Sequence, residues 1–181
     1  MNQVNIGDYN RIVLVGSSGS GKSWLSKRLA DIYGYPLIHL DNEFWKPGWM
    51  KTPKDEWMAV QEELTSREKW IIDGNYDSTM EMRFMTADIV VFLDINRFVC
   101  IWRVLWRTGK KRSDFPDYLD ESNILSKEFV EFCKWIWRFP ETGRKTIMEL
   151  HKKYPEKAFL HIRHRREIKA VLRGEIKVNG T

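Results

Sequence analysis

Gly16-Ser17-Ser18-Gly19-Ser20-Gly21-Lys22-Ser23 is the stretch that decides the fold. The octet matches G-x-x-x-x-G-K-[ST], a loop that wraps a chain of phosphates. The chemistry requires these residue types. Glycines let successive backbone N–H groups turn towards phosphate oxygens. The helix behind them adds the positive end of its dipole, Lys22 reaches the β- and γ-phosphates, and the Ser23 hydroxyl can ligate Mg2+. Glycine-rich strand-to-helix connections match the bare pattern by chance, so the flanks carry the decision. Here RIVLVG (11–16) precedes as a buried strand, and Lys22 to Tyr33 follows as a helix with Leu25, Leu29 and Ile32 on one face.

Outward from the loop, short apolar runs alternate with helical patterns. LIHLD (37–41), WIID (70–73), IVVFLD (89–94) and AFLHI (158–162) read as four further strands. Between and after them the spacing predicts helices over Pro53 to about Arg67, Ser78 to about Met85, Phe98 to about Thr108, Ser122 to Phe139, Thr142 to Tyr154 and Glu167 to Arg173. Thr52 is placed to cap the first of these. Such alternation predicts an α/β fold with a parallel sheet covered by helices on both faces, in which ligands bind beyond the carboxyl ends of the strands. A Mg2+ site of this kind also uses an acid at the end of an apolar strand. Asp73 and Asp94 both fit, although Asp94 can equally cap the helix that follows.

Composition narrows the class. The 181 residues suit a single domain over 1–181, and 43% hydrophobic residues are enough for a real core. Thirty Lys and Arg against twenty-five Asp and Glu leave +5, mild enough for a phosphate-handling enzyme or a weak nucleic-acid binder. Two cysteines exclude a disulfide scaffold and a four-cysteine zinc site. The start, MNQVNIGDYN, lacks the features of a signal peptide, and Ile89 to Leu105 is interrupted by Asp94, Asn96, Arg97 and Arg103. The expectation is a cytoplasmic protein without a membrane partner. Of nine tryptophans, Trp57, Trp102, Trp106, Trp135 and Trp137 read as packing residues on helices, whereas Trp45 and Trp49 read equally as a satellite core and as pocket lining.

Loop, strands and spacing together resemble the nucleoside-monophosphate-kinase branch of P-loop NTPases, including adenylate, shikimate and gluconate kinases. HLDNEFWKPGW (39–49), WIIDGNY (70–76), IVVFLD (89–94) and FCKWIWRF (132–139) resemble more narrowly the DNA topology modulation (FlaR-related) family, over roughly Arg11 to Ile168. The resemblance implies a three-layer fold with strand order 2-3-1-4-5, ATP and Mg2+ as cofactors, and a lid-like segment at about 108–121. It places Asp73 beside Ser23 and so prefers Asp73 to Asp94 as the metal-associated acid. Trp24 stands where this superfamily commonly has Thr, and its side chain is expected to begin the helix without lining the loop.

Positions then suggest roles. Gly16 to Ser23 would hold the nucleotide, with Lys22, Arg103, Arg107 and Arg112 neutralising the transferring phosphoryl group. Arg103 and Arg107 are spaced i, i+4 and share one helix face. Asp41 is the general-base candidate for an acceptor hydroxyl, and Asn75 and Tyr76 are candidates for lining the acceptor pocket. Arg163 and Arg165, after the fifth strand, would border the adenine in the family arrangement. The expected activity is transfer of the ATP γ-phosphoryl to an unidentified small-molecule acceptor, with nucleotides among the candidates. The competing expectation is a nucleotide-binding regulator or weak ATPase that affects DNA topology through DNA or protein contacts, using the basic residues around Lys110, Lys111 and Arg112.

Overall fold

Five parallel strands form the central sheet of the computed structural model, which describes residues 3–48, 50–108, 126–173 and 176–177. They are β1 (Arg11–Gly16), β2 (Leu37–His39), β3 (Trp70–Asp73), β4 (Ile89–Leu93) and β5 (Ala158–Ile162). Their spatial order is β2-β3-β1-β4-β5, with Ile12 opposite Ile71 on one side and Ile89 on the other. This is the expected 2-3-1-4-5 order. Eight α-helices are described: α1 (Lys22–Tyr33), α2 (Leu40–Phe44), α3 (Lys54–Ser66), α4 (Asp77–Thr86), α5 (Arg97–Arg107), α6 (Lys127–Arg138), α7 (Gly143–Lys153) and α8 (Arg165–Leu172).

Strand alternation divides the core into two layers. Val13, Val15, Ile72, Val90 and Phe92 pack with Trp57, Leu64, Met80, Phe84, Ile147 and Leu150 from α3, α4 and α7. The opposite set, Ile12, Leu14, Ile71, Ile89, Val91 and Leu93, packs with Leu25 and Leu29 of α1 and with Ile168 and Val171 of α8. Both sheet faces are therefore dry, which is why the strands read as unbroken apolar runs. A third cluster, Cys100, Val104 and Ile136, joins α5 to α6.

Several local expectations are corrected. The second strand ends at His39, and Asp41 lies in the first turn of α2. Thr52 does not cap α3; its hydroxyl donates to the Phe44 carbonyl at 2.7 Å, and Pro53 holds the cap position. Ile32 is 53% exposed, outside the core face of α1. Trp57 is buried as expected, but Trp102 and Trp106 are 61% and 66% exposed, and Trp135 and Trp137 are exposed as well. The inner face of α5 is taken by Cys100, Val104, Arg103 and Arg107, so the residues one position earlier than the arginines are turned outward. Trp49, Arg112 and all but the first residue of the lid-like segment lie outside the described residues.

Candidate phosphate-binding site

The loop at Gly16–Ser23 and the first turn of α1 bound one side of a cavity of about 280 Å³. Asp41, Asp73 and Gly74 line it from the β2 and β3 ends, and Arg103 and Arg107 line it from α5. The sequence scattered these groups over ninety positions; the sheet order brings them together.

Lys22 folds back onto its own loop. Its Nζ donates to the carbonyls of Gly16 at 2.7 Å and Ser17 at 3.0 Å, so the ammonium does not project freely into solvent as an isolated surface lysine would. Desolvation lowers its pKa, opposed by the charges of Asp73 and Asp41.

Helix α5 fixes the outer side of the loop. Arg103 Nη1 donates to the carbonyls of Gly19 and Ser20, each at 3.1 Å, and Arg107 Nη2 donates to Ser18 Oγ at 3.1 Å. The backbone of Cys100 presses so closely on Gly19 that an added Cβ would stand 2.4 Å from the Cys100 carbonyl oxygen. Gly19 also has φ +78°, so a side chain there meets both a clash and left-handed strain. Asn96, not Asp94, caps this helix, accepting the Phe98 N–H at 2.9 Å.

Asp73 and Asp94 have different surroundings. Asp73 is buried at the cavity floor, accepts from Ser26 Oγ at 2.8 Å and lies 3.0 Å from His39 Nδ1. Asp94 is engaged by His161 at 2.9 Å and Arg144 at 3.2 Å and does not line the cavity. Arg163 and Arg165 are exposed beyond β5 and also stay outside the cavity lining. The Arg163 N–H donates instead to Glu167 at 2.7 Å.

A turn between β3 and α4 connects the phosphate loop to Asp41. Asn75 brackets Gly16, accepting its N–H at 3.0 Å and donating to its carbonyl at 2.8 Å. Gly74 makes the approach possible, because a Cβ would lie 2.8 Å from the Leu40 side chain at a φ of +138°. Tyr76 follows at φ +46°, and its hydroxyl donates to Asp41 Oδ1 at 2.7 Å. Burial pushes the Tyr76 pKa far up, and Asp41 adds to the effect, so the phenol stays a donor. The ring rests on Phe44 and Trp57, with centroids 4.6 and 5.0 Å away, while Trp45 meets Phe44 edge-on at 5.0 Å.

Beneath this turn is an arginine that the sequence reading missed. Arg83 is fully buried and donates to Gln61 Oε1 at 2.5 Å, to Thr79 Oγ1 at 2.7 Å and to the carbonyls of Asn75 and Tyr76. No carboxylate among the described residues accepts from it. Burial lowers its pKa to about 9, which still leaves it charged at pH 7. One signal was available: Arg83 falls at the apolar spacing of α4 beside Met80 and Phe84, where a solvated arginine has no place. Trp24, expected to begin the helix, stands in the first turn of α1 and is among the residues that line the cavity.

The donor set fits a polyphosphate with a divalent cation. Lys22, Arg103 and Arg107 supply positive charge opposite Ser23 and Asp73, the hydroxyl and carboxylate that would hold Mg2+ or its waters. Among the described residues, no cluster of three or more His, Cys, Asp or Glu is arranged to hold a metal without such a ligand.

Solved structures share this architecture. A shikimate kinase from Acinetobacter baumannii, in complex with shikimate, superposes with a TM-score of 0.57 at 16% identity, covering 91% of each chain. A shikimate kinase from Bacteroides thetaiotaomicron gives 0.53 at 20% identity, over 91% of this chain and 95% of that one. A gluconokinase from Sinorhizobium meliloti 1021 gives 0.51 at 20% identity, over 92% and 89%. These likenesses establish the three-layer α/β fold, a five-stranded parallel sheet flanked by helices. No protein-family model and no curated protein matches the sequence. Among the described residues, no helix is long and apolar enough to cross a membrane.

Proposed function

We propose that the chain is a phosphotransferase that moves the ATP γ-phosphoryl group to the hydroxyl of a small-molecule acceptor. One observation carries the reading: the phosphate loop, two arginines and two carboxylates line one cavity. An ATPase requires only the loop and a water; Asp41, held by Tyr76 on the β2 side, is the extra element an acceptor hydroxyl needs. In this reaction the acceptor oxygen forms a bond to the γ-phosphorus as the bond to the bridging oxygen of ADP breaks, and Asp41 takes the hydroxyl proton. Lys22, Arg103 and Arg107 stabilise charge on the transferring group. Bound Mg2+, held through Ser23 and Asp73, would neutralise phosphate charge. Arg112 and the lid-like segment at about 108–121 belong to the reading on sequence grounds: Gly109, Pro116 and three successive cations suit a segment drawn inward by phosphates. Two free cysteines, one of them buried, suit the reduced cytoplasm.

The fold likeness to shikimate kinases and a gluconokinase supports hydroxylated metabolites as the first acceptors to test. Purified protein with Mg2+ and ATP should release ADP in proportion to one member of a panel of nucleosides, nucleoside monophosphates and small hydroxyl metabolites. Lys22→Ala should abolish that release while the protein stays folded. Acceptor-independent hydrolysis, with tight and steeply salt-dependent binding to duplex DNA, would overturn the proposal in favour of the regulator suggested by the narrower family resemblance.

A further inference from the structure

We infer that Trp24 is a nucleobase platform, so that the site selects a nucleoside triphosphate over a bare polyphosphate. The inference rests on the nucleotide reading above and adds the part of the ligand that reading leaves without a partner. Everything identified so far addresses phosphate: loop amides, Lys22, Ser23, Arg103 and Arg107. Nothing among them recognises an aromatic ring.

Geometry supplies the candidate. Lys22 and Ser23 address the terminal phosphates, so a nucleoside leaves the loop over the first turn of α1, where Trp24 is the next residue. Trp24 lines the same cavity and is 53% exposed. No other aromatic residue lines that cavity among the described residues. An indole left half in water at the mouth of a polar cleft contributes little to folding, since much of its apolar surface is not buried. Its flat face is instead available for stacking, which is tolerant of base identity because every base has a π-face. Arg28, one turn further along α1, holds its guanidinium 5.8 Å from the indole centroid. That contact restrains the ring and lowers the entropy lost when a base settles on it.

The test compares ATP with inorganic triphosphate, each with Mg2+, by calorimetric titration of the wild type, Trp24→Ala and Trp24→Phe. Trp24→Ala should bind ATP about tenfold or more weakly, with affinity for triphosphate unchanged. Trp24→Phe should recover most of the ATP affinity, because a phenyl ring still stacks. Equal losses for both ligands would make Trp24 a support of the loop and overturn the inference. Unchanged ATP affinity in Trp24→Ala, or wild-type protein that binds triphosphate as tightly as ATP, would overturn it too while leaving the phosphate site intact. Wild-type protein that binds neither ligand would overturn the nucleotide reading together with this one.

Discussion

The Tyr76 hydroxyl donates to Asp41 Oδ1 at 2.7 Å, joining the turn after β3 to the first turn of α2. Tyr76 reaches it from a left-handed backbone conformation, φ +46°, which a bulky residue adopts only when its surroundings impose it. The bond orients one carboxylate oxygen and leaves the other for a proton. Tyr76→Phe should therefore lower kcat roughly tenfold to a hundredfold with the preferred acceptor. ATP affinity should remain within about twofold, since the phenol does not touch the phosphate loop. Steady-state kinetics alongside nucleotide titration distinguishes the two, and an equal loss of ATP binding would show that Tyr76 acts through the loop.

Arg83 is the interior support of that turn. Arg83→Met replaces its bulk but removes donors from the Asn75 and Tyr76 carbonyls, Gln61 and Thr79 at a site closed to water. Orphaning several buried acceptors should cost about 2–4 kcal/mol. For a chain of this size the melting temperature would drop by roughly 6–12 °C. Thermal denaturation followed by circular dichroism measures it; a shift under about 2 °C would mean that the carbonyls find other donors.

The two strand-end acids should separate cleanly. Asp73→Asn should raise the Mg2+ concentration needed for half-maximal activity severalfold with little change in unfolding midpoint. Asp94→Asn should do the reverse, because its carboxylate holds His161 and Arg144 away from the cavity. Magnesium titrations and urea melts of both variants decide it, and a raised Mg2+ requirement in Asp94→Asn alone would reverse the assignment.

His151 gives stability an acid-side slope. Its ring stacks on Phe159 at 3.9 Å and 10°, and burial, then the charge of nearby His161, lowers its pKa from the ordinary 6.5. The folded state thus favours neutral imidazole. Its contribution is fully present above pH 6.5 and is lost as pH falls through the lower folded value. Unfolding midpoints should decline between pH 7 and 5, and His151→Leu should flatten that decline. An identical slope in the variant would assign it to other groups.

The sheet was legible because each strand is buried on both faces and so announces itself as an apolar run. The loop was legible because glycine and lysine spacing maps directly onto backbone geometry. Asp73 followed from the strand order that the family resemblance implies, and Arg103 and Arg107 from their i, i+4 spacing on one helix face. Illegible were the contacts that depend on a side chain turning back: Asn75 onto Gly16, Lys22 onto its own carbonyls, Arg83 under the turn. Spacing specifies which face a residue occupies but not which of several acceptors its end group reaches. The exposed tryptophans of α5 misled for a related reason. Their i, i+4 spacing looks like a core stripe, and only the arginines one position later show which stripe the loop claims.

That offset makes α5 a two-sided ruler. Trp102 and Trp106 stack on one another at 5.8 Å on the outside, while Arg103 and Arg107, each one residue on, grip the loop. A single residue turns a helix by about 100°. One extra residue inserted between Cys100 and Trp102 would thus bring the indoles to the loop and carry the guanidiniums away, with the composition of the helix nearly unchanged. The helix is held to its length more strictly than to its letters: replacing one arginine removes that side chain's contacts and leaves the other's, whereas shifting the frame exchanges a cationic face for an aromatic one.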